Sequence, residues 1–215
     1  MAGIELIDLT KHYRQGTNVV RALDGVTLTI GAGEFVSVVG RSGSGKTTLL
    51  DLVGLLLRPT SGQIVFDGVD AGTLNDGQRA DLRGQKIGFI FQEYNLLPTL
   101  NVVENVMLPL RYSRTKIPGG RARALINRPT LVLGDEPTGS VDTETAAQLI
   151  GIMQGLNREE KVTFMIVTHD LDIAAQTQRV IRLKDGKVIS DERTGWQGGP
   201  AWSVDKSGMG SAGHL

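Results

Sequence analysis

Short apolar runs alternate with polar, turn-forming segments along the first third of the chain. This pattern predicts β-strands over residues 4–9, 19–23, 26–30 and 35–39. The run at 35–39, FVSVV, is apolar at nearly every position, which is typical of a strand buried between two layers. It ends at Gly40, where a glycine-rich stretch begins.

Helical spacing follows that stretch. Apolar residues at 49, 52, 53 and 56 predict a helix that ends at the turn 58–62. Further apolar runs at 87–91, 131–133, 162–167 and 180–183 predict strands, and 143–157 has a helical pattern. Strands that alternate with helices predict an α/β fold with a mostly parallel core sheet behind an N-terminal β part.

Composition adds limits to this picture. The 215 residues are 40% hydrophobic and 21% charged, enough for one folded domain with appendages. The 23 basic residues equal the 23 acidic ones, so no overall field favours nucleic acid, and we expect no nucleic-acid partner. There is no cysteine. No apolar run approaches the roughly 20 residues of a membrane span, so we expect any membrane role to be peripheral.

Glycines are concentrated near the C-terminal end of the sequence. Six of the 28 lie between Gly195 and Gly213, in a segment that also carries serine and few apolar residues. We therefore expect a folded domain over residues 1–191 and a flexible tail over 192–215.

The glycine-rich stretch carries the clearest chemical signal. It fits the pattern G-x-x-x-x-G-K-[ST] and stands between a predicted strand and a predicted helix. Glycine backbone N–H groups and a helix N-terminus form an anion nest, the lysine reaches phosphates, and the threonine hydroxyl ligates Mg²⁺. We expect these residues to contact the nucleotide: Gly40, Arg41, Ser42, Gly43, Ser44, Gly45, Lys46, Thr47 and Thr48.

Two carboxylates follow the apolar run at 131–133. Asp135 is the expected Mg²⁺ partner, directly or through water. Glu136 next to it is the expected general base, which polarises a water for in-line attack on the γ-phosphate.

These motifs resemble those of the ATP-binding subunits of ABC transporters, and the resemblance extends from residue 4 to about 191. Besides the phosphate loop and LVLGDEPTG, it rests on FIFQEYNLLPTLNVVENV, GSVDTET and MIVTHD, in the family's order. The segment NLLPTLNVVENVMLPL is similar to the branch that serves lipoprotein release, macrolide or peptide export, and cell division.

The resemblance implies a P-loop NTPase fold with a mostly parallel core sheet, an N-terminal antiparallel β part and a truncated helical subdomain. It also implies ATP and Mg²⁺ as cofactors. It implies that Tyr13 stacks on adenine, and that Gln92 touches Mg²⁺ and the attacking water. It likewise gives His169 a hydrogen bond to the γ-phosphate and places Asp142 in the loop exchanged across a dimer. The implied partners are a membrane permease and a second ATPase subunit, which is either another copy of this chain or an ATPase subunit with an intact signature. The implied location is the cytoplasmic face of the cell membrane.

The chain departs from the family ahead of LVLGDEP. A Leu-Ser-Gly-Gly-Gln signature at a helix N-terminus is expected there, behind a helical subdomain, but the sequence contains none. Only a shortened segment, around 108–128, stands in its place. In one alignment, residues 117–120 (IPGG) are a decayed signature; in the other, which we favour, two ARAL stretches have merged at 122–125 and the signature is lost.

Three hypotheses about function follow. The chain is an ATPase that dimerises on ATP and drives a membrane partner, or it binds nucleotide without hydrolysing it, or it is a shortened product with no stable role. Release of phosphate by the purified chain separates the first hypothesis from the others, and a nucleotide-dependent shift in melting temperature separates the second from the third.

Overall fold

The computed structural model describes residues 3–91 and 129–196, and the short segments 203–204 and 210–211. Its core is a six-stranded sheet in the order β10-β9-β3-β8-β7-β6. Five of these strands run parallel, and β10 pairs antiparallel with β9 at one edge. The strands are β3 (Phe35–Val39), β6 (Ile87–Ile90), β7 (Leu131–Asp135), β8 (Thr163–Thr168), β9 (Arg179–Lys184) and β10 (Lys187–Arg193).

A second, antiparallel sheet lies beside the core sheet in the order β2-β1-β4-β5. Its strands are β1 (Ile4–Gln15), β2 (Asn18–Ile30), β4 (Ser61–Phe66) and β5 (Val69–Asp70). The prediction of a mostly parallel core sheet with an N-terminal antiparallel part is confirmed. A separate pair, β11 (Ser203–Val204) and β12 (Gly210–Ser211), lies inside the predicted tail.

The helices are α1 (Lys46–Val53), α2 (Asp76–Lys86), α3 (Thr143–Glu160) and α4 (Leu171–Ala175). One apolar core lies between the two sheets and includes α1, while a smaller one packs α3 and α4 on the other face of the core sheet. Phe35 and Phe164, whose ring centroids lie 5.1 Å apart, anchor that smaller core. The parallel strands are therefore covered on both faces, as their apolar runs predict.

Two elements differ from the sequence-based prediction. The strands expected at 19–23 and 26–30 are one continuous strand, β2, because β1 runs on to Gln15 and pairs with it throughout, through three register shifts. Tyr13 thus lies within β1, beyond the end of the strand predicted over residues 4–9.

The helix expected to reach residue 57 ends at Val53. Leu55 adopts a left-handed conformation at φ 58°. The buried Arg79 of α2 then donates to the carbonyls of Leu55 and Leu57, at 3.1 and 2.7 Å. Apolar residues continue past the break, where Leu55 is buried and Leu57 packs against the core while Leu56 is exposed, so the pattern alone could not locate the end of the helix.

Within the described part of the chain, no helix is both long and apolar enough to cross a membrane.

Candidate nucleotide site

The glycine loop connects β3 to α1 at the carboxyl edge of the core sheet. Gly45 caps α1 in a left-handed conformation, φ 100°, and a Cβ there would stand 2.2 Å from the carbonyl oxygen of Ala22. A Cβ on Gly40 would stand 2.3 Å from the carbonyl oxygen of Leu183. Both contacts are too short for any side chain, so the loop's path along β2 and β9 requires glycine at these two positions.

Neighbouring strands fix the loop in place. The N–H of Gly186, in the turn between β9 and β10, donates to the carbonyl of Ser44 at 3.1 Å. Asp24 in β2 donates its own N–H to the carbonyl of Gly186 at 3.0 Å. This relay couples the loop to both sheets, and no local sequence motif signals it.

Lys46 is the first residue of α1 and is buried. Its ammonium donates to the loop carbonyls of Gly40, at 2.9 Å, and Arg41, at 3.0 Å. No carboxylate of the described residues forms an ion pair with it. The Ser44 hydroxyl of the same loop is buried without a hydrogen-bond partner among those residues. A cation without a counter-ion and an unsatisfied hydroxyl fit an anionic ligand such as a phosphate.

Asp135 ends β7, beside β8 and close to the start of α1. Burial raises the pKa of its carboxyl, while a hydrogen bond with the Thr47 side chain acts in the opposite direction. The charge of Glu136 raises this pKa further, and that of Lys46 lowers it. A hydroxyl and a carboxylate in contact are the oxygen donors that Mg²⁺ prefers, so the pair expected from the sequence fits that ion.

Glu136 and His169 meet across β7 and β8. The carboxylate oxygen Oε1 of Glu136 lies 2.8 Å from His169 Nδ1 and accepts the His169 backbone N–H at 3.1 Å. Its other oxygen accepts from the buried Thr168 hydroxyl at 3.2 Å. The hydrogen bond with Glu136 raises the pKa of His169, whose side chain is 76% exposed.

Glu136 adopts a left-handed backbone conformation, with φ 46°, and its N–H donates to the carbonyl of Val167 at 2.9 Å. This turn of the backbone directs the chain away from β7 immediately after the two carboxylates. Thr168 is a residue that the sequence reasoning missed. Its position beside His169 at the end of an apolar run was the available signal.

Tyr13 lies on the outer part of β1, where it pairs with Val20 and is 37% exposed. The Lys11 ammonium stands 5.2 Å from the centre of its ring. Lys11 pairs with Leu23, and Leu23 lies against Gly45 of the loop. The antiparallel sheet thus meets the loop at Leu23, and Tyr13 lies two residues along β1 from the residue opposite that contact.

Asp142 has a different set of contacts. Asp142 caps the N-terminus of α3: its carboxylate accepts from the N–H and the hydroxyl of Thr145 at 2.9 and 2.8 Å. These hydrogen bonds lower its pKa. Gln92 lies outside the described residues, as do both alignments of the lost signature and the shortened helical subdomain.

Sequence comparison identifies the family. The family model described as "ABC transporter" matches residues 23–119. The lipoprotein-releasing system ATP-binding protein LolD of Anaeromyxobacter dehalogenans is 40% identical over 222 residues, which cover 87% of this chain and 93% of that protein. This chain belongs to the family of ABC transporter ATP-binding proteins. The resemblance seen in the motifs is confirmed.

Other relatives differ in length. The macrolide export ATP-binding/permease protein MacB of Syntrophobacter fumaroxidans is 42% identical over 86% of this chain, which spans only 31% of MacB. Among solved structures, the ATP-binding cassette MJ0796 of Methanocaldococcus jannaschii, a dimer in a post-hydrolysis state with ADP and Pi, superposes with a TM-score of 0.82. It is 35% identical over 89% of this chain and 98% of MJ0796.

The alignments also bear on the lost segment. The alignment with LolD runs over 222 residues, more than the 215 of the whole chain, although it includes only 87% of this chain. LolD therefore has aligned positions that this chain lacks. The family match ends at residue 119, ahead of β7 and its two carboxylates.

Proposed function

We propose that this chain is the ATP-binding subunit of an ABC transporter of the lipoprotein-release or macrolide-export type. The observation that carries the proposal is the buried Lys46 ammonium, which among the described residues donates to loop carbonyls and forms no ion pair. A cation held in a glycine loop at a helix N-terminus is a phosphate site, and the Thr47 and Asp135 oxygens beside it suit the magnesium of Mg-ATP.

Each residue then has a role in handling ATP. Backbone N–H groups of residues 40–48 bind the phosphates, Lys46 neutralises them, and Tyr13 stacks on adenine. Glu136 accepts a proton from the attacking water, while His169 and Gln92 contact the γ-phosphate and the water. Bound Mg²⁺ supplies charge neutralisation at the phosphate oxygens, and Thr47, Asp135 and Gln92 would hold it.

The proposed partners follow from the relatives. MacB is named as an ATP-binding/permease protein, and LolD as the ATP-binding protein of a releasing system. We infer that this chain acts beside membrane-spanning permease segments, at the cytoplasmic face of the cell membrane. The MJ0796 cassette was crystallised as a dimer, which supports pairing with a second copy or with an intact ATPase subunit.

A second function, nucleotide binding without turnover, is favoured by the missing signature. In the family that segment supplies a hydroxyl and helix N-terminal amides to the γ-phosphate of the facing subunit. The loss of such donors costs a few kcal/mol of transition-state stabilisation, on the order of a hundredfold or more in rate. ATP binding to this chain's own phosphate loop uses other residues and would persist.

ATP binding tests the proposal most directly. We expect the purified chain to bind Mg-ATP, and Lys46→Ala to weaken binding about a hundredfold because the central cation is lost. Lys161→Ala is the matched control: it removes a lysine at the C-terminal end of α3, next to Gly33 and far from the loop. Equal binding by the wild type and Lys46→Ala would contradict the proposal.

Turnover separates the two functions. Phosphate release by the chain is compared with release by a version in which a signature segment is restored between residues 110 and 129. We expect the restored version to hydrolyse ATP at least a hundredfold faster, and Glu136→Gln to abolish this rate. Equal turnover by the two versions would show that the chain needs no signature.

A further inference from the structure

Thr168 is the last residue of β8 and is fully buried, although its side chain carries a hydroxyl. On one side β8 pairs with β3, where Thr168 lies opposite Val39. On the other side β8 pairs with β7, and the N–H of Glu136 donates to the carbonyl of Val167 at 2.9 Å. Both neighbouring strands therefore fix the backbone of Thr168, at the point where the chain leaves β7.

Two hydrogen bonds determine where the Thr168 hydroxyl directs its proton. The hydroxyl accepts the backbone N–H of Asp170 at 3.0 Å, and it lies 3.2 Å from Oε2 of Glu136. Because an N–H can only donate and an ionised carboxylate can only accept, the hydroxyl proton must be directed to Glu136. The Thr168 hydroxyl is therefore a donor of fixed direction to this carboxylate.

The two oxygens of the Glu136 carboxylate have different partners. Oε1 lies 2.8 Å from Nδ1 of His169 and accepts its backbone N–H at 3.1 Å, whereas Oε2 accepts from Thr168. The His169 side chain is 76% exposed, while the Glu136 side chain is only 17% exposed. The His169 ring thus lies mostly in solvent and changes its charge near neutral pH, but the Thr168 hydroxyl is buried and stays neutral.

This difference bears on the role of Glu136 as general base. In the proposed function the His169 ring also contacts the γ-phosphate, so its hydrogen bond to Glu136 depends on the nucleotide and on pH. The Thr168 hydrogen bond depends on neither, because paired strands hold both residues. A general base must be held precisely, since a displacement of about 1 Å can lower a rate by about a hundredfold.

We propose that Thr168 is a positioning residue for the general base: its hydroxyl holds one carboxylate oxygen of Glu136 and leaves the other to accept a proton from the attacking water. This inference rests on the proposed function, because the position of the base matters only if the chain hydrolyses the ATP that it binds. Thr168 itself contacts neither the nucleotide nor the water in this role.

The first experiment compares Thr168→Val with Thr168→Ser. Valine has nearly the shape of threonine but no hydroxyl, whereas serine keeps the hydroxyl and lacks only a methyl group. We expect Thr168→Val to lower the rate of phosphate release from bound, radiolabelled ATP about tenfold at unchanged ATP affinity, and Thr168→Ser to restore the rate. Because the missing signature slows turnover, release is followed over hours with the protein in excess.

The second experiment follows the position of the carboxylate and needs no turnover. The hydrogen bond with Glu136 raises the pKa of His169. Thr168→Val should release the carboxylate and bring the His169 pKa, measured by NMR, closer to its ordinary value. In a Glu136→Gln background the same substitution should have no effect on this pKa. A purely structural role of Thr168, through the N–H of Asp170, would shift the pKa equally in both backgrounds.

Thr163→Val is the matched control, because it removes a buried hydroxyl from the other end of the same strand. That hydroxyl accepts the N–H of Gly33 at 2.8 Å, so its loss should lower stability but leave the phosphate release and the His169 pKa unchanged. Thr168→Ala replaces Thr168→Val if the latter does not fold, as judged by its melting curve.

Three outcomes would contradict these expectations in different ways. An unchanged rate of phosphate release, or an unchanged His169 pKa, in folded Thr168→Val would overturn the inference. A wild type that binds ATP but releases no phosphate would also overturn it, and would leave nucleotide binding without turnover as the function. A folded wild type that binds no ATP would overturn the proposed function itself.

Discussion

Within the described part of the chain, charged side chains are paired at the amino edge of the core sheet and largely unpaired at its carboxyl edge. At the amino edge, where β3 begins, Arg179 donates to both carboxylate oxygens of Asp191, at 2.5 and 2.6 Å. It also donates to Glu34, at 3.0 Å, and to the carbonyl of Thr29, at 2.8 Å. The hydrogen bond with Asp191 raises the pKa of Arg179. Every charge of this cluster is neutralised within the protein.

At the carboxyl edge, Lys46 forms no ion pair with the described residues, and its ammonium donates to the loop carbonyls of Gly40 and Arg41. Asp135, which is half-buried, likewise forms no ion pair within the described part of the chain. Because uncompensated charge at a protected place is costly, an arrangement of this kind indicates a ligand that supplies the missing charges. The comparison separates charges that are paired within the protein from those at the proposed nucleotide site, which a ligand would have to neutralise.

An open polar groove of about 440 Å³ lies at the amino edge. It is lined by Thr29, Gly31, Glu34, Arg179, Asp191 and Arg193. Its charged residues already satisfy one another, so the groove offers a ligand little that the protein does not already provide.

The largest effect is expected at the paired edge. Arg179→Met should lower the free energy of unfolding by about 2–3 kcal/mol, because it leaves Glu34 and Asp191 without their partly buried cation. Chemical denaturation measures this loss, and ATP affinity should stay unchanged. Arg182→Met, at an exposed position of the same strand, is the control and should unfold like the wild type. If Arg179→Met folds fully but binds ATP more weakly, the two edges do not have separate roles.

A smaller effect is expected for Asp142→Ala. Although this residue lies near the binding edge, its carboxylate is used in the N-cap of α3. We expect a fall in melting temperature of about 2–4 °C and no change in ATP binding by the isolated chain. Asp142→Asn can still cap the helix, so its melting temperature should lie close to that of the wild type. A change in ATP affinity without a change in stability would assign Asp142 to the binding edge instead.

The pair of Glu136 and His169 gives a pH-dependent test. Glu136 raises the pKa of His169 above 6.5 in the folded protein, so the pair stabilises the fold fully below about pH 6.5. This contribution is lost as the pH rises through the folded pKa. We expect Glu136→Gln to return the His169 pKa, followed by NMR, to near 6.5. A pKa unaffected by the substitution would contradict the contact.

The smallest effect is expected for Arg193→Ala. Its guanidinium is 81% exposed and stands 3.5 Å from Glu34. An exposed pair of this kind contributes less than about 0.5 kcal/mol, which a denaturation curve would barely resolve. A loss as large as that of Arg179→Met would show that the amino edge works as one network and not through Arg179.

Most of the elements were predictable from the chain because their apolar patterns are local. The strand at 35–39 and the start of the helix at 143 agree with β3 and α3. The end of α1 was not predictable, since the carbonyls of Leu55 and Leu57 are bonded to Arg79, more than 20 residues away in sequence. The single strand β2 likewise depends on its partner β1, whose extension to Gln15 has no local signal.

The sequence by itself determined the chemistry of the site: a glycine loop with Lys46 and Thr47, and the adjacent carboxylates Asp135 and Glu136. It also determined that no Leu-Ser-Gly-Gly-Gln signature is present. Only the tertiary structure decided which groups meet. The contact of Glu136 with His169 depends on β7 lying next to β8. The hydrogen bonds from Asp24 to Gly186 and from Gly186 to Ser44 depend on β2 lying beside the turn between β9 and β10. Both depend on strand order, which is set by distant parts of the chain.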